Sequence, residues 1–225
     1  MKKFNDIKGF IFDLDGVIST TSNLHSKAWQ EIANEVGTKW TKELANNLKG
    51  VSRMDSLNLI LKSGNQNHNY TAKQKKYLTD KKNSIYLRLV NQLTPYDVLP
   101  GIKDFLESLI RNNYLIALAS ASKNSSEVLK RLKLTRFFPK IVDPSTLKHG
   151  KPSPDIYLEA VKLLKLNPEQ CAGIEDANAG ADAINAANEI SIGIGNKDIL
   201  KQADIVFSNT EKLTLDNIKK FTTII

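Results

Sequence analysis

Gly9-Phe10-Ile11-Phe12-Asp13-Leu14-Asp15-Gly16-Val17 is the stretch that decides the fold. The run from Gly9 to Phe12 is short, apolar and near the N-terminus, which predicts a buried β-strand. Asp13 and Asp15 follow two residues apart, so an extended backbone sends both carboxylates to one side. Gly16 then lets the chain turn away. Two like charges this close repel unless a cation or a shared proton compensates them. Such a pair is a poor element of a core and a useful element of a reaction centre.

The rest of the chain sets the frame around this strand. Its 225 residues are 41% hydrophobic and 7% aromatic, enough to fill a sizeable core and to exclude disorder. That length fits one large α/β domain, or one domain with a smaller insert. No apolar stretch approaches the ~20 residues of a membrane span, and no signal-peptide core follows the basic N-terminus. Cys171 is the only cysteine, so an intrachain disulfide or thiolate cluster is excluded and a cytoplasmic, reducing location is expected. The net charge of +8 comes from 32 basic and 24 acidic side chains, with the lysines scattered over every segment. The densest groups, Lys73, Lys75 and Lys76 with Lys81 and Lys82, read as solvated helix faces rather than a nucleic-acid surface. A basic surface also attracts phosphorylated small molecules.

Working outward from the first strand, residues 23–92 are helical in character. Leu24, Ala28, Trp29, Ile32, Ala33 and Val36 recur at helix spacing behind a candidate N-cap at Ser22 or Asn23. Leu57, Ile60 and Leu61 mark a second helix, and Ile85, Leu89 and Val90 a later one. The polar stretch 63–69 reads as a loop. From Pro95 onward the texture alternates. Strands are expected at 114–119, 140–142, 171–174, 190–194 and 205–207. Helices are expected around Ile102–Leu109, Val128–Leu132 and Ala177–Ala187, and after a Ser153 N-cap with Pro154 at the first helical position. Strands alternating with helices imply a Rossmann-like three-layer α/β/α core with a parallel sheet. The helical stretch interrupts it as an inserted cap, giving a core of 1–20 plus 95–225 and a cap of 21–94.

Ligands bind beyond the carboxyl ends of such strands, and four motifs fall there. Asp13 and Asp15 follow the first strand, Ser120 the second. Lys151 precedes the Ser153-Pro154 helix start, and Glu175-Asp176 follows Cys171–Ile174. Taken singly, a serine after a strand is commonly a cap, and an acidic pair can serve a helix N-terminus. Convergence of all four on one sheet end points to chemistry. Asp13 and Asp176, with Glu175 as a third candidate, offer hard oxygen ligands suited to Mg²⁺. Lys151 adds positive charge, and the Ser120 hydroxyl with nearby backbone N–H groups would hold phosphoryl oxygens. One carboxylate can act as nucleophile and a second can move a proton. The set suits phosphoryl transfer.

These four motifs, in this order over nearly the whole chain, resemble those of the haloacid dehalogenase superfamily, and the helical insert resembles its cap. Within it the chain is most similar to the sugar-phosphate mutase branch. The pointers are His25 with Trp29 at the cap entry, Lys49-Gly50-Val51-Ser52-Arg53 in the cap, which is the more discriminating piece, and Ser120-Ala121-Ser122-Lys123-Asn124 in the core. The resemblance implies interconversion of β-D-glucose 1-phosphate and D-glucose 6-phosphate through an aspartyl-phosphate enzyme and β-glucose 1,6-bisphosphate. It implies Asp13 as nucleophile, Asp15 as general acid/base, and one Mg²⁺ held by Asp13, Glu175, Asp176 and the Asp15 carbonyl. Ser120, Ala121 and Lys151 would bind the transferring phosphoryl group. Arg53 with Ser122, Lys123 and Asn124 would grip the distal phosphate. His25, Trp29, Lys82 and residues 49–52 would contact the sugar, with Thr21 in the hinge. The expected partner is a small sugar phosphate acting on a monomer, with neither nucleic acid nor membrane involved.

Two stretches depart from the superfamily pattern: Ser19-Thr20-Thr21-Ser22 lacks an acidic residue before the hinge threonine, and Thr146-Leu147-Lys148-His149 replaces smaller residues. Both bear on substrate preference rather than reaction class. The rival on the same fold is a sugar-phosphate phosphatase, with water as final acceptor. A dehalogenase would have no use for Asp15 and a metal site, and a signalling receiver would lack the helical insert. His68 and His149 read as surface residues, and Cys171 as a small buried hydrophobe.

Overall fold

A computed structural model of the chain describes residues 6–48 and 51–222. Six parallel strands, β1 (Gly9–Phe12), β2 (Leu115–Leu118), β3 (Lys140–Ile141), β4 (Cys171–Glu175), β5 (Ile190–Ile194) and β6 (Ile205–Phe207), lie in the order β3-β2-β1-β4-β5-β6. Every residue of β1, β4 and β5 is buried, as expected of parallel strands covered on both faces. Successive side chains of β1 point to opposite faces. Phe10 and Phe12 face one layer, where Phe10 packs edge-on against Phe105 and Tyr114, and Phe12 against Phe138. Ile11 joins the other layer, with Ala117, Tyr157, Ala160 and Ile184.

The register carries the site. Phe12 pairs with Leu118 on one side and Ile174 on the other, so Asp13, Ala119 and Glu175 stand level at the carboxyl end of the sheet. The Asp13 N–H donates to the Ile174 carbonyl at 3.0 Å, and the Ala119 N–H to the Phe12 carbonyl at 2.8 Å. Strand order reverses between β1 and β4, where an α/β sheet opens its binding crevice.

Between β1 and β2 run α1 (Ser22–Glu35), α2 (Lys42–Asn47), α3 (Arg53–Ser63) and α4 (Ala72–Val90), followed by α5 (Ile102–Arg111). The two passages joining the helical segment to the sheet are tied together. The Leu99 N–H donates to the Ile18 carbonyl at 2.9 Å, and Ser19 Oγ to the Asp97 carbonyl at 2.7 Å. The remaining helices are α6 (Ser125–Arg131), α7 (Asp155–Leu164), α8 (Asn178–Ala186) and α9 (Leu215–Thr222).

The structure corrects several local expectations. Helix α1 begins at Ser22 with Thr21 in the N-cap position, and no side chain caps it; the Thr21 hydroxyl donates to Asp15 instead. Helix α7 begins at Asp155, one residue later than expected, with Pro154 rather than Ser153 in the N-cap position. The Ser153 hydroxyl donates to the Asp155 carboxylate at 2.5 Å. Helices α2 and α9 were not expected. Only Leu44 of the six-residue α2 is buried, too little for a periodic stripe. Lys82 is not on a solvated face: it is 3% exposed. One helical step of about 100° from Lys81, which pairs with Glu35 at 2.9 Å, turns it inward.

Candidate active site

At the sheet's carboxyl end Lys151 sits between two carboxylates. Its Nζ donates to Asp13 Oδ1 at 2.7 Å and to Glu175 Oε1 at 2.5 Å. The second Glu175 oxygen accepts the Asp176 and Ala177 N–H groups at 3.0 and 3.2 Å, just before α8. The Tyr157 hydroxyl donates to Glu175 Oε1 at 3.3 Å. Close approach here depends on glycine. A Cβ on Gly180 would fall 1.8 Å from Glu175 Oε1. One on Gly16, where φ is +87°, would fall 2.1 Å from the Asp176 carboxylate.

Asp13, Glu175 and Asp176 each present an oxygen within 4.8 Å of the others. Burial pushes the Asp13 carboxyl well up, Lys151 opposes this, and Glu175 and Asp15 push it further. Burial would lower the Lys151 ammonium, but Asp13 and Glu175 outweigh it and hold it raised. The lysine is therefore a fixed cation, and one ammonium does not neutralise the carboxylates around it. A hard divalent cation among three carboxylate oxygens supplies the missing charge, so the residues fit Mg²⁺.

Asp15 takes its side-chain partners from the start of α1. Its carboxylate accepts the Thr21 hydroxyl and lies 3.5 Å from His25 Nε2. His25 Nδ1 is 2.6 Å from Lys82 Nζ, and its ring stacks on Tyr86 with centroids 3.9 Å apart. The Lys82 ammonium also lies 4.9 Å from the Trp29 and Tyr86 ring centres. Burial, then Lys82 and Arg53, hold the His25 imidazole well below its ordinary value, so it is neutral and accepts from Lys82. Burial and the Arg53 charge pull Lys82 down to about 7, against Asp15. Burial raises Asp15 against its bond from Thr21 and the charge of Lys82.

Most of these groups line one cavity of about 290 Å³. Asp13, Asp15, Lys151, Glu175 and Asp176 line it from the sheet end, and Ala121, Ser122 and Lys123 from the loop after β2. His25, Trp29, Val51, Ser52, Arg53 and Lys82 line it from the helical segment. Ser120, Thr21 and Asn124 are not on its wall. Ser120 is buried, its Oγ accepting the Ser122 N–H at 3.1 Å, and Thr21 is buried and donates to Asp15. Lys49 and Gly50 lie outside the described residues. His149 is an exposed surface residue that also lines the cavity beside Leu147 and Lys148; His68 is exposed.

Sequence reasoning missed Asn83. Its Oδ1 accepts from Arg53 Nη2 at 2.8 Å and from Asn124 Nδ2 at 2.7 Å. The residue sits in a lysine-rich helix with no local motif, so nothing in the one-dimensional pattern marks it. Tyr86, which packs on His25, was missed for the same reason, and Tyr157, which bonds Glu175, because its place on the apolar stripe of α7 reads as core.

The family model described as haloacid dehalogenase-like hydrolase matches residues 7–188. The β-phosphoglucomutase of Bacillus subtilis is 43% identical over 210 residues, 93% of each chain. The crystal structure of a β-phosphoglucomutase from Clostridium difficile superposes with a TM-score of 0.95 at 42% identity, covering 97% of this chain and 98% of that one. A phosphorylated carbohydrates phosphatase of Thermotoga maritima is 28% identical over 80% of this chain and 82% of its own. The chain belongs to the haloacid dehalogenase-like family of enzymes, on the branch of the β-phosphoglucomutases.

Proposed function

We propose that this protein is a Mg²⁺-dependent β-phosphoglucomutase, interconverting β-D-glucose 1-phosphate and D-glucose 6-phosphate. The observation that supports the proposal is that cationic side chains line one cavity from two sides, Lys151 beside the acidic cluster at the sheet end, and Arg53 from α3 with Lys123 from the core; in this reading they serve two stations for anions. A phosphatase needs one such station; a mutase passing through a bisphosphate needs two.

In this reading Asp13 carries the phosphoryl group, with Lys151 beside its Oδ1 neutralising charge on the oxygens in transfer. Bound Mg²⁺, held by Asp13, Glu175, Asp176 and the Asp15 carbonyl, would supply further neutralisation. Asp15 takes the proton from the sugar hydroxyl as its oxygen attacks phosphorus and the Asp13–phosphorus bond breaks. That gives β-glucose 1,6-bisphosphate, which reorients and returns its other phosphoryl group to Asp13, while Asp15 hands the proton to the departing oxygen. Burial raises Asp15 towards the range where both directions of proton transfer work. Ser120 and Ala121 steady the group in transfer. Ser122, Lys123, Asn124 and Arg53 hold the distal phosphate. His25, Trp29, Lys82 and residues 49–52 meet the sugar. Residues 21–94 act as a cap on a core of 1–20 and 95–225, hinged at Thr21, and closure excludes water.

The proposal includes action as a monomer, and a cytoplasmic location that the lone buried thiol of Cys171 supports. Among the described residues no helix is long and apolar enough to cross a membrane. The test follows glucose 6-phosphate and free phosphate together, starting from β-glucose 1-phosphate with Mg²⁺ and a trace of acetyl phosphate to prime Asp13. Rapid glucose 6-phosphate with little phosphate, and no comparable turnover of the α-anomer, is expected. Phosphate without isomerisation would make the protein a phosphatase.

A further inference from the structure

Asn83 couples the helical segment to the core through a single atom. Its amide oxygen accepts from Arg53 on α3 and from Asn124 in the loop before α6. Arg53 and Asn124 are two of the donors assigned above to the distal phosphate, so this inference rests on that assignment. The distances, 2.8 and 2.7 Å, are those a phosphoryl oxygen would make to the same donors. We propose that Asn83 is a positioning residue whose amide oxygen stands in for one oxygen of the distal phosphate. It keeps the two donors converged across the cleft until substrate displaces it.

The choice of amide over carboxylate is central to the argument. A neutral acceptor holds both donors yet yields to an anion, because hydrogen bonds to a charged oxygen are roughly twice as strong. A carboxylate in its place would pair with the Arg53 guanidinium, refuse to leave, and repel the incoming phosphate. Removing the acceptor altogether would let Arg53 and Asn124 separate, so that binding must first bring them together.

The test compares Asn83→Asp and Asn83→Ala with the wild type. Glucose 6-phosphate affinity is measured by calorimetry, mutase KM and kcat by coupled assay, and p-nitrophenyl phosphate hydrolysis supplies a reference reaction without a distal phosphate. Affinity is expected to fall in the order wild type, Asn83→Ala, Asn83→Asp. The aspartate variant should lose about tenfold or more, in KM rather than kcat, with a smaller effect on the aryl phosphate. Thermal melts should place Asn83→Asp at or above Asn83→Ala, since it keeps both hydrogen bonds. A purely structural acceptor gives the opposite result, with the isosteric aspartate binding glucose 6-phosphate like the wild type. Any order other than the expected one overturns the proposal. Absence of isomerisation by the wild type would overturn the mutase reading, while the affinity series would still decide the role of Asn83.

Discussion

Lys82 should weaken the fold that contains it, and replacing it with methionine should make the protein more stable and less able to bind substrate. The residue is 3% exposed, and its ammonium is pulled from 10.5 down to about 7 by burial and Arg53. The unfolded chain holds this proton up to about pH 10.5, whereas the folded chain releases it near 7. Between those values the unfolded state binds more protons, so stability rises with pH by about 1.4 kcal/mol per pH unit from this group. Above 10.5 both states are neutral and the cost vanishes. Near pH 7 it amounts to about 4 kcal/mol. Methionine matches the length of the side chain and avoids that cost. It gives up the hydrogen bond to His25 and the contacts with the Trp29 and Tyr86 rings, on the order of 1–2 kcal/mol. A net gain of about 2–3 kcal/mol at pH 7 remains, and it should shrink towards zero or reverse by pH 10. Urea unfolding of both proteins at pH 6, 7, 8.5 and 10, without Mg²⁺, measures the difference directly. A variant less stable than the wild type at pH 7, or a difference independent of pH, would refute the reasoning. Glucose 6-phosphate affinity in the same variant should fall, a gain in stability set against function.

The remaining predictions concern the site itself. Asp13→Ala and Asp15→Ala should each cut mutase turnover by at least about a thousandfold, and only the first should also abolish labelling by radioactive acetyl phosphate. Arg53→Ala should reduce mutase kcat/KM by about ten- to a hundredfold, the value of a charged hydrogen bond; equal losses in aryl phosphate hydrolysis would remove Arg53 from the distal station. Gly180→Ala should displace Glu175, destabilise the fold by about 1–3 kcal/mol, and raise the Mg²⁺ concentration for half-maximal activity. Unchanged melting and Mg²⁺ titration would mean that Glu175 has room to move.

The sheet was legible because its strands obey simple rules. Gly9–Phe12 is apolar on both faces, and the acids at its end stand where a parallel sheet collects polar groups. Helices α1, α3 and α4 declared themselves through stripes such as Ala28, Trp29, Ile32 and Ala33. What escaped was settled by tertiary contact. Lys82 resembles its solvated neighbours until α1 supplies His25 and Trp29 to face it. Ser22 and Asn23 are the candidate helix caps in sequence, whereas in the structure Thr21 holds the N-cap position and its hydroxyl is taken by Asp15, six residues away. Asn83 has meaning only once Arg53 and Asn124, thirty and forty-one positions distant, are brought to it.

The paired passages at the neck of the helical segment have a consequence for the chain's history as well as its folding. Leu99 with Ile18 and Asp97 with Ser19 fix both ends of the intervening stretch at one point. Seen from the sheet, everything between them is a closed loop, and the entropy of closing a loop grows only slowly with its length. That stretch is therefore free to lengthen, shorten or be exchanged for another without disturbing the pairing of β1 with β2. A lineage can keep one phosphoryl-transfer centre and try new selectivities above it, each substitution judged on what it recognises rather than on whether the sheet survives.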